Sequence, residues 1–396
     1  MKLFSLNLNE SQFFILFRYF LFALIGLEVL LIPVIFNNKE IYANGEYFKS
    51  FIALMPLLLI GLHSGFFRTK YIHKIDVRHS LVFASIILLL PVSVIFSIFF
   101  DNIFLFFAIS SFSLAISLEK IYQVKKMFKW ALLFKPMFSI FYIIISFLFI
   151  KVSTSVISFL SISYFLSCFI FSIPYFRDGG IKFNILNIFH DVLILVKNGF
   201  WINLGTLFIA FLIFSDRHML KLFDIEGLAD YSFAFNISSF LFLYFTSISY
   251  LNDIYFGEKI NSFTSDMLLV MLKTLIKHFI IGLLITISLY LILIYFIPTY
   301  SSSLEFFLVI VFSWGSFYSL GTLGPLVQYL NLQKHLGLIL MGVSFITLLI
   351  YLYIYKYQIP FNSFYLVLKT GIIIFLFGIY QFIYIYKKLK ISWINF

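Results

Sequence analysis

The sequence is short of charge and of cysteine. Only 11% of its 396 residues are charged, and its single cysteine, Cys168, lies within an apolar run. A soluble globular domain carries about 25% charged residues, so this composition is a poor match for a surface that faces water. One cysteine excludes an intrachain disulfide and any metal site built from several thiolates. We therefore expect lipid rather than water around much of the chain.

Enzyme signatures are also missing. The chain has no P-loop, no His-Glu-x-x-His, no Gly-x-Ser-x-Gly and no Asp-rich metal motif, and its seven histidines are scattered. We expect no catalytic residues, no metal and no resident cofactor. The net charge of +11 is spread between apolar runs. That distribution is typical of basic cytoplasmic loops, so we expect no nucleic acid partner.

Long apolar runs dominate the sequence instead. Hydrophobic residues make up 62% of the chain, with 57 Phe and 25 Tyr. A membrane-crossing helix needs about 20 mostly apolar residues. We therefore predict an all-α polytopic membrane protein with about twelve transmembrane helices, at 13–36, 48–68, 80–100, 102–118, 130–150, 152–174, 199–221, 228–251, 279–297, 304–330, 336–355 and 363–386.

The positions of the 28 Lys and Arg predict the orientation. Most of them fall in the N-terminal segment, in alternate loops and in the C-terminal tail. Because basic residues concentrate in cytoplasmic loops, we predict that both termini are cytoplasmic. The predicted outer side carries only a few basic residues, namely Lys39, Lys49, Lys151, Arg217, Lys221 and Lys356.

A long loop divides the predicted spans into two sets of six. Residues 175–198 follow the sixth run and contain Arg177-Asp178-Gly179-Gly180. We interpret them as a cytoplasmic linker between an N-terminal six-helix lobe, 1–174, and a C-terminal six-helix lobe, 199–396. A faint internal echo supports this division, since IFNNKEIYANGEYFKSF leaves the first span and LFDIEGLADYSFAF leaves the seventh. Transporters are often built from such repeats.

Charged groups within apolar runs are costly in a membrane and mark candidate functional sites. Arg18, Arg68 and Lys135 lie on the first, second and fifth spans, all in the predicted cytoplasmic half of the first lobe. The plain alternative is that these long side chains reach back to the interface. His63 joins the candidates because it lies between Gly61 and Gly65, whose spacing permits close helix packing.

The second lobe offers a charged pair and a helix break. Asp216 and Arg217 are adjacent near the predicted outer end of the seventh span, where a simply interfacial pair is the alternative. Gly324 and Pro325 should loosen or kink the tenth span, because proline lacks the N–H that an α-helix uses. Glu28, in the first span, is with Asp216 one of the few acidic residues in or beside the predicted spans.

Two stretches resemble a known family of transporters. Residues 199–235, GFWINLGTLFIAFLIFSDRHMLKLFDIEGLADYSFAF, are similar to the start of the second lobe in Wzx-type oligosaccharide repeat-unit flippases of the multidrug/oligosaccharidyl-lipid/polysaccharide (MOP) exporter superfamily. In that family an Asp-Arg pair and then an acidic residue with Gly precede a Tyr-rich helix. The first lobe is similar to the family's Gly-Leu-x-x-Gly-x-x-Arg pattern. The matching residues are Asp216-Arg217, Glu226-Gly227 and Tyr231 in the second lobe, and Gly61, Leu62, Gly65 and Arg68 in the first.

The resemblance implies a MATE-like MOP fold and a flippase for undecaprenyl-diphosphate-linked oligosaccharide repeat units of the O-antigen or capsule type. The flippase would work by alternating access, from the cytoplasmic to the periplasmic leaflet of the inner (plasma) membrane, with membrane lipid and polysaccharide assembly proteins as partners. Substrate would be bound by Arg18, His63, Arg68, Lys135 and Arg217. Asp216 and Glu28 would orient these groups or carry a coupling ion, a proton or sodium, and Gly324 with Pro325 would form a hinge.

Two alternatives stay open. A membrane O-antigen polymerase or ligase would be an enzyme with its active site on a long outer loop, and the predicted outer loops are short. A small-molecule antiporter of the same superfamily would be expected to carry more acidic residues in its spans.

The orientation can be tested by cysteine labelling in a Cys168→Ser background. Gly180→Cys, in the 175–198 segment, should react with a membrane-permeant maleimide but not with an impermeant one added to intact cells. Lys39→Cys, on the predicted outer side, should react with both. Labelling of Gly180→Cys by the impermeant reagent would contradict both the topology and the linker.

Overall fold

The computed structural model describes residues 24–59, 61–71, 75–125, 127–151, 155–177, 185–259, 263–359 and 362–394. Within these ranges the chain is helical except for short turns and loops, and it contains no strand. The chain divides into two compact units, Met1–Asn203 and Leu204–Phe396. The prediction of an all-α membrane protein is confirmed.

The first unit contains eight helices in the described ranges and the first part of a ninth. They are α1 (Leu24–Phe36), α2 (Lys39–Leu54), α3 (Leu62–Tyr71), α4 (Arg78–Phe99), α5 (Phe104–Val124), α6 (Phe128–Ala131), α7 (Phe134–Phe149), α8 (Val156–Arg177) and the beginning of α9 (Ile185–Phe223). Helix α5 packs against both α4 and α8 and forms the centre of the unit.

Serines line the contacts of this central helix. Buried serines such as Ser93 on α4 and Ser163 on α8 donate their hydroxyls to the carbonyl oxygens of Leu89 and Phe159, one turn back, at 2.8 and 2.6 Å. This bond satisfies the hydroxyl within its own helix, and the small side chain lets the neighbouring helix approach closely. Large apolar side chains such as Phe99 point outwards instead, as expected where lipid is the solvent.

The second predicted span, 48–68, is a broken helix. Helix α2 runs on through a 3₁₀ turn, Met55–Leu59, and α3 then leaves at an angle of 54°. At the break Gly61 has a φ of +92°, which favours glycine. The side-chain amide of Asn203, on α9, donates to the Leu57 carbonyl oxygen at 2.6 Å. A carbonyl in the broken region is thereby satisfied.

Three glycines bring α3 and α9 into backbone contact. A Cβ atom on Gly65 would lie 1.9 Å from the Leu195 carbonyl oxygen, and one on Gly199 would lie 1.9 Å from the Gly61 carbonyl oxygen. The close packing predicted for Gly61 and Gly65 is therefore present, and α9 supplies the third glycine.

Helix α9 is longer than the sequence indicates. Its 39 residues correspond to about 58 Å at 1.5 Å per residue. Residues 185–198, expected to form a loop, are helical and belong to the first unit. Polar contacts hold them there, because Ser80 donates to Asp191 at 2.6 Å and Asn198 donates to Thr69 at 3.0 Å.

The second unit repeats part of this plan. After the end of α9 it contains α10 (Ile225–Lys259), α11 (Ser265–Phe296), a 3₁₀ turn (Pro298–Ser303), α12 (Leu304–Gly321), α13 (Gly324–Tyr329), α14 (Gln333–Tyr357) and α15 (Ser363–Ile394). Helix α12 packs against α10 and α15 and is the central helix of this unit, as α5 is of the first.

The predicted break at Gly324 and Pro325 is present. Helix α12 ends at Gly321, and Pro325 is the second residue of α13, where a missing N–H leaves no hydrogen bond unmade. The Asn252 side-chain amide donates to the Thr322 carbonyl oxygen at 2.8 Å and satisfies a peptide group at the break. That this break acts as a hinge stays a prediction.

Every predicted span overlaps a helix, but the number of membrane crossings is not confirmed. Within the described residues, eight helices are long and apolar enough to cross a membrane, or up to nine if the broken α2–α3 pair is one span. Helices α1 and α7 are apolar but shorter, as far as they are described. The count of twelve stays a prediction.

The glycine contact predicts a matched pair of substitutions. Gly65→Ala should destabilise the protein by about 1–3 kcal/mol or more, because the new methyl group meets main chain that cannot rotate away. Gly342→Ala is the control, since a Cβ on Gly342 meets nothing within 4 Å. Thermal unfolding in detergent should show a lowered midpoint for Gly65→Ala only. Equal midpoints would contradict the backbone contact.

Candidate functional site

Each unit has a helical hairpin whose turn is closed by a polar cap. Asn38 accepts hydrogen bonds from the N–H groups of Glu40 and Ile41 at 2.8 and 3.1 Å and so begins α2. Asp224 accepts from the Gly227 N–H at 2.8 Å and so begins α10. These side chains satisfy N–H groups that have no partner within the helix. The internal echo in the sequence thus corresponds to two equivalent hairpin turns.

The Glu226-Gly227 motif has a local explanation. A Cβ atom on Gly227 would lie 2.1 Å from Asp224 Oδ2, so a larger residue there would push the capping carboxylate aside. Glu226 is exposed in the first turn of α10, where a negative charge favours the helix dipole. Ser363, at the start of α15, also donates to Asp224.

In the first unit, a buried cluster is centred on Lys49. Its ammonium lies 2.6 Å from Glu28 Oε1 and 2.8 Å from Glu46 Oε1. Ser139, on α7, donates to the other Glu28 oxygen at 2.5 Å. Glu28 is 7% exposed and Glu46 is 2% exposed. We call Glu28, Glu46, Lys49 and Ser139 the Lys49 cluster.

The Lys49 cluster contains two carboxylates and one ammonium. If all three are ionised, its formal charge is −1. Buried charges are stable only when they are paired and hydrogen-bonded, and Lys49 pairs with both carboxylates in this apolar bundle. The Tyr142 ring lies beside it, with its centroid 5.7 Å from the ammonium. The Tyr142 hydroxyl is buried without a hydrogen-bond partner in the part of the chain that the structure describes.

In the second unit, the corresponding cluster is centred on Asp216. Its Oδ1 accepts from the Tyr351 hydroxyl and from Thr370 Oγ1, the latter at 3.0 Å. The Lys369 ammonium lies 3.8 Å from the same oxygen, donates to the Tyr351 hydroxyl and lies 4.0 Å from the centroid of the Tyr351 ring. We call Asp216, Tyr351, Lys369 and Thr370 the Asp216 cluster. It joins α9, α14 and α15.

Arg217 is buried beside this cluster. It is 4% exposed, and its guanidinium lies 5.7 Å from the centroid of the Tyr231 ring and 5.3 Å from that of Phe235, both on α10. A cation over an aromatic face is stabilised electrostatically, and more so when it is removed from water. Such burial disfavours the reading of Arg217 as an interfacial anchor. Its role in binding substrate stays a prediction.

His63 lies in a hydroxyl cluster between helices of the first unit. Its Nε2 is 2.8 Å from Ser117 Oγ and 3.3 Å from Ser85 Oγ, and the two hydroxyl oxygens are 2.6 Å apart. All three residues are buried. The arrangement links α3, α4 and α5, and these hydrogen bonds account for a polar side chain there. Substrate binding by His63 stays a prediction.

Two of the three cations predicted at the cytoplasmic entrance lie within the described residues. Arg68 is half-buried on α3, while Lys135 is exposed on α7 beside the buried Pro136. Arg18 lies outside the described residues. Another basic group lies near Arg68. The Lys120 ammonium is 5.0 Å from the ring centroid of Phe67, the residue before Arg68. Substrate binding by Arg18, Arg68 and Lys135 stays a prediction.

Sequence reasoning missed the partners of the two acidic residues. Lys49 is counted with the outer residues, because Glu40, Asn44 and Glu46 make the start of α2 look like a loop. Lys369 is visible as a lysine within an apolar run, and that was the available signal. Tyr351 carries no signal, since tyrosines are abundant throughout the chain.

Comparisons with known proteins give a structural relationship only. No protein-family model and no curated protein matches the chain. Among solved structures, the chain is similar to the outward-facing conformation of a multidrug resistance MATE family transporter of the MOP superfamily. The TM-score is 0.51 with 14% identity, covering 92% of this chain and 94% of the other. An inward-facing structure with the same description gives a TM-score of 0.48 at 14% identity, covering 92% and 95%.

At this level of identity the likeness shows the fold alone. The chain therefore has the all-helical fold found in MATE transporters of the MOP superfamily, which confirms the fold expected from the sequence resemblance. The Wzx-type branch is not tested by this similarity and belongs to the proposal below.

The Asp216 cluster predicts the effect of removing one hydroxyl. Tyr351→Phe should destabilise the protein by about 1–3 kcal/mol, because a buried carboxylate oxygen loses a donor and Lys369 loses an acceptor. Tyr355→Phe is the matched control, one turn further along α14 and exposed. The measurement is the unfolding midpoint in detergent. A Tyr351→Phe midpoint equal to that of Tyr355→Phe would show that the hydroxyl is not part of the network.

Proposed function

We propose that this chain is a flippase for undecaprenyl-diphosphate-linked oligosaccharide repeat units. The proposal combines the transporter fold with the sequence resemblance to Wzx-type flippases. It places the protein in the inner membrane with both termini cytoplasmic, and it makes alternating access the mechanism. Polysaccharide assembly proteins would supply the substrate and take up the product.

The observation that carries the proposal is a pair of basic groups beside one buried carboxylate. Asp216 lies 3.8 Å from the Lys369 ammonium, and the adjacent Arg217 is 4% exposed. Two basic side chains at one point suit an anionic ligand, because each can donate a charge-assisted hydrogen bond to it.

A diphosphate fits this requirement. It cannot cross about 30 Å of hydrocarbon unaided, because its charges would lose their hydration. Guanidinium and ammonium groups replace that hydration with charge-assisted hydrogen bonds. Arginine offers a planar fork that matches phosphate oxygens, and lysine offers a point charge. The side chain of Lys369, 27% exposed, is the more accessible of the two. The polyprenyl tail can remain in the bilayer throughout.

A second candidate is a small-molecule antiporter. Two buried carboxylates in the first unit, Glu28 and Glu46, favour it, because such an antiporter is expected to carry acidic residues in its spans. The similar solved transporter is described as a multidrug resistance protein. The two candidates predict opposite ligands, an anion for the flippase and a cation for the antiporter.

The flippase proposal predicts a graded loss at Arg217. In a flippase-null strain, wild type should restore surface polysaccharide. Arg217→Lys should lose much of that activity, and Arg217→Ala should reduce it by at least about tenfold, the effect of about 1.4 kcal/mol on a barrier. The reason is that ammonium cannot reproduce the bidentate fork. Lys356→Ala, exposed near the end of α14, should retain full activity.

Protein levels measured by blot separate loss of transport from loss of protein. Full activity of Arg217→Ala at normal expression would remove Arg217 from the site. If the wild-type chain fails to restore polysaccharide but raises resistance to cationic dyes in a drug-sensitive strain, the second candidate replaces the first.

A further inference from the structure

The two units share an arrangement of three side chains. In the first, Glu28 on α1 meets Lys49, and the Tyr142 ring on α7 lies 5.7 Å from the ammonium. In the second, Asp216 on α9 meets Lys369, and the Tyr351 ring on α14 lies 4.0 Å from the ammonium. Each arrangement thus combines a buried carboxylate, a lysine and a tyrosine ring.

The oxygen atoms of the Lys49 cluster would suit a small inorganic cation. Hard cations prefer carboxylate, hydroxyl and carbonyl oxygens. Two glutamates converge on this point from α1 and α2, and Ser139 on α7 donates to the other oxygen of Glu28. Lys49 already fills it, since its ammonium is within 2.8 Å of an oxygen of each glutamate.

An ammonium and a free cation cannot share these oxygens. Two unit charges about 4 Å apart repel by about 4 kcal/mol at the effective dielectric constant of a protein surface, and by more in the interior. Lys49 also has the advantage of being attached to the chain, because a tethered group binds at a high effective concentration that dilution does not change.

We propose that Lys49 is a built-in counter-cation that occupies the position where sodium would otherwise neutralise Glu28 and Glu46. Sodium therefore has no coupling role at the Lys49 cluster. The inference deepens the proposed function, because a coupling ion has meaning only for a transporter. The exclusion of sodium by Lys49 can be measured without any substrate.

The test is the effect of sodium on thermal unfolding of the purified full-length protein. Midpoints are compared in equal concentrations of sodium chloride and choline chloride, so that ionic strength is constant. Wild type should show the same midpoint in both salts. Lys49→Ala should show a midpoint higher in sodium by about 2–4 °C, because the freed oxygens bind the ion and binding to the native state stabilises it.

Matched variants separate binding at this point from a general salt effect. Lys356→Ala removes an exposed lysine and should behave as wild type. The triple variant Glu28→Gln/Glu46→Gln/Lys49→Ala keeps the cavity but removes both negative charges, so the sodium-specific rise should vanish. If Lys49→Ala does not fold, Glu46→Gln/Lys49→Ala leaves one carboxylate to compensate and should show the same rise.

Sodium-specific stabilisation of wild type would overturn the inference, and so would its absence from both Lys49→Ala and Glu46→Gln/Lys49→Ala. These outcomes are independent of the complementation assay. A chain that fails to restore polysaccharide can still exclude sodium through Lys49, and a working flippase can still be stabilised by it.

Discussion

Lipid offers no partner to a charge or to an open peptide group, and the described helices are arranged around that constraint. The ion pairs of Lys49 with Glu28 and Glu46 are the strongest example, because three ionisable groups from two helices compensate each other in an apolar bundle. The same constraint explains the side-chain amides of Asn203 and Asn252. Each reaches from another helix to a carbonyl oxygen where a helix is broken.

Polar residues within one motif of this chain differ in how far the local geometry explains them. Glu226 and Gly227 belong to the motif that carries the family resemblance, yet Gly227 lies in a helix cap that the Asp224 side chain closes. Asp216 and Arg217, from the same motif, have no such local use. They are buried among partners that come from α10, α14 and α15. A family motif can thus contain a turn signal and a site signal side by side.

Apolar length was sufficient to predict where the helices are, because about 20 apolar residues have few other uses. Apolar length did not predict where each helix begins and ends. The start of α9 reads as a loop, since His190, Asp191 and Lys197 are polar, but Ser80 and Thr69 provide partners that a sequence does not reveal. The break at Gly324 and Pro325 was predictable from proline chemistry. The break near Gly61 depends on a backbone contact with Gly199, distant in the chain, and was predictable only as close packing.

The crossing of α3 and α9 has a consequence for how this sequence can diverge. When two side chains touch, a larger one can be accommodated by a smaller partner, and the pair changes together. At Gly61, Gly65 and Gly199 the neighbouring atoms are main chain, which has no smaller version. No second substitution can compensate for the first, so relatives that keep this crossing should keep all three glycines while showing no correlated change between them. A contact of this kind is invisible to methods that infer proximity from covariation, even though it is among the tightest in the unit.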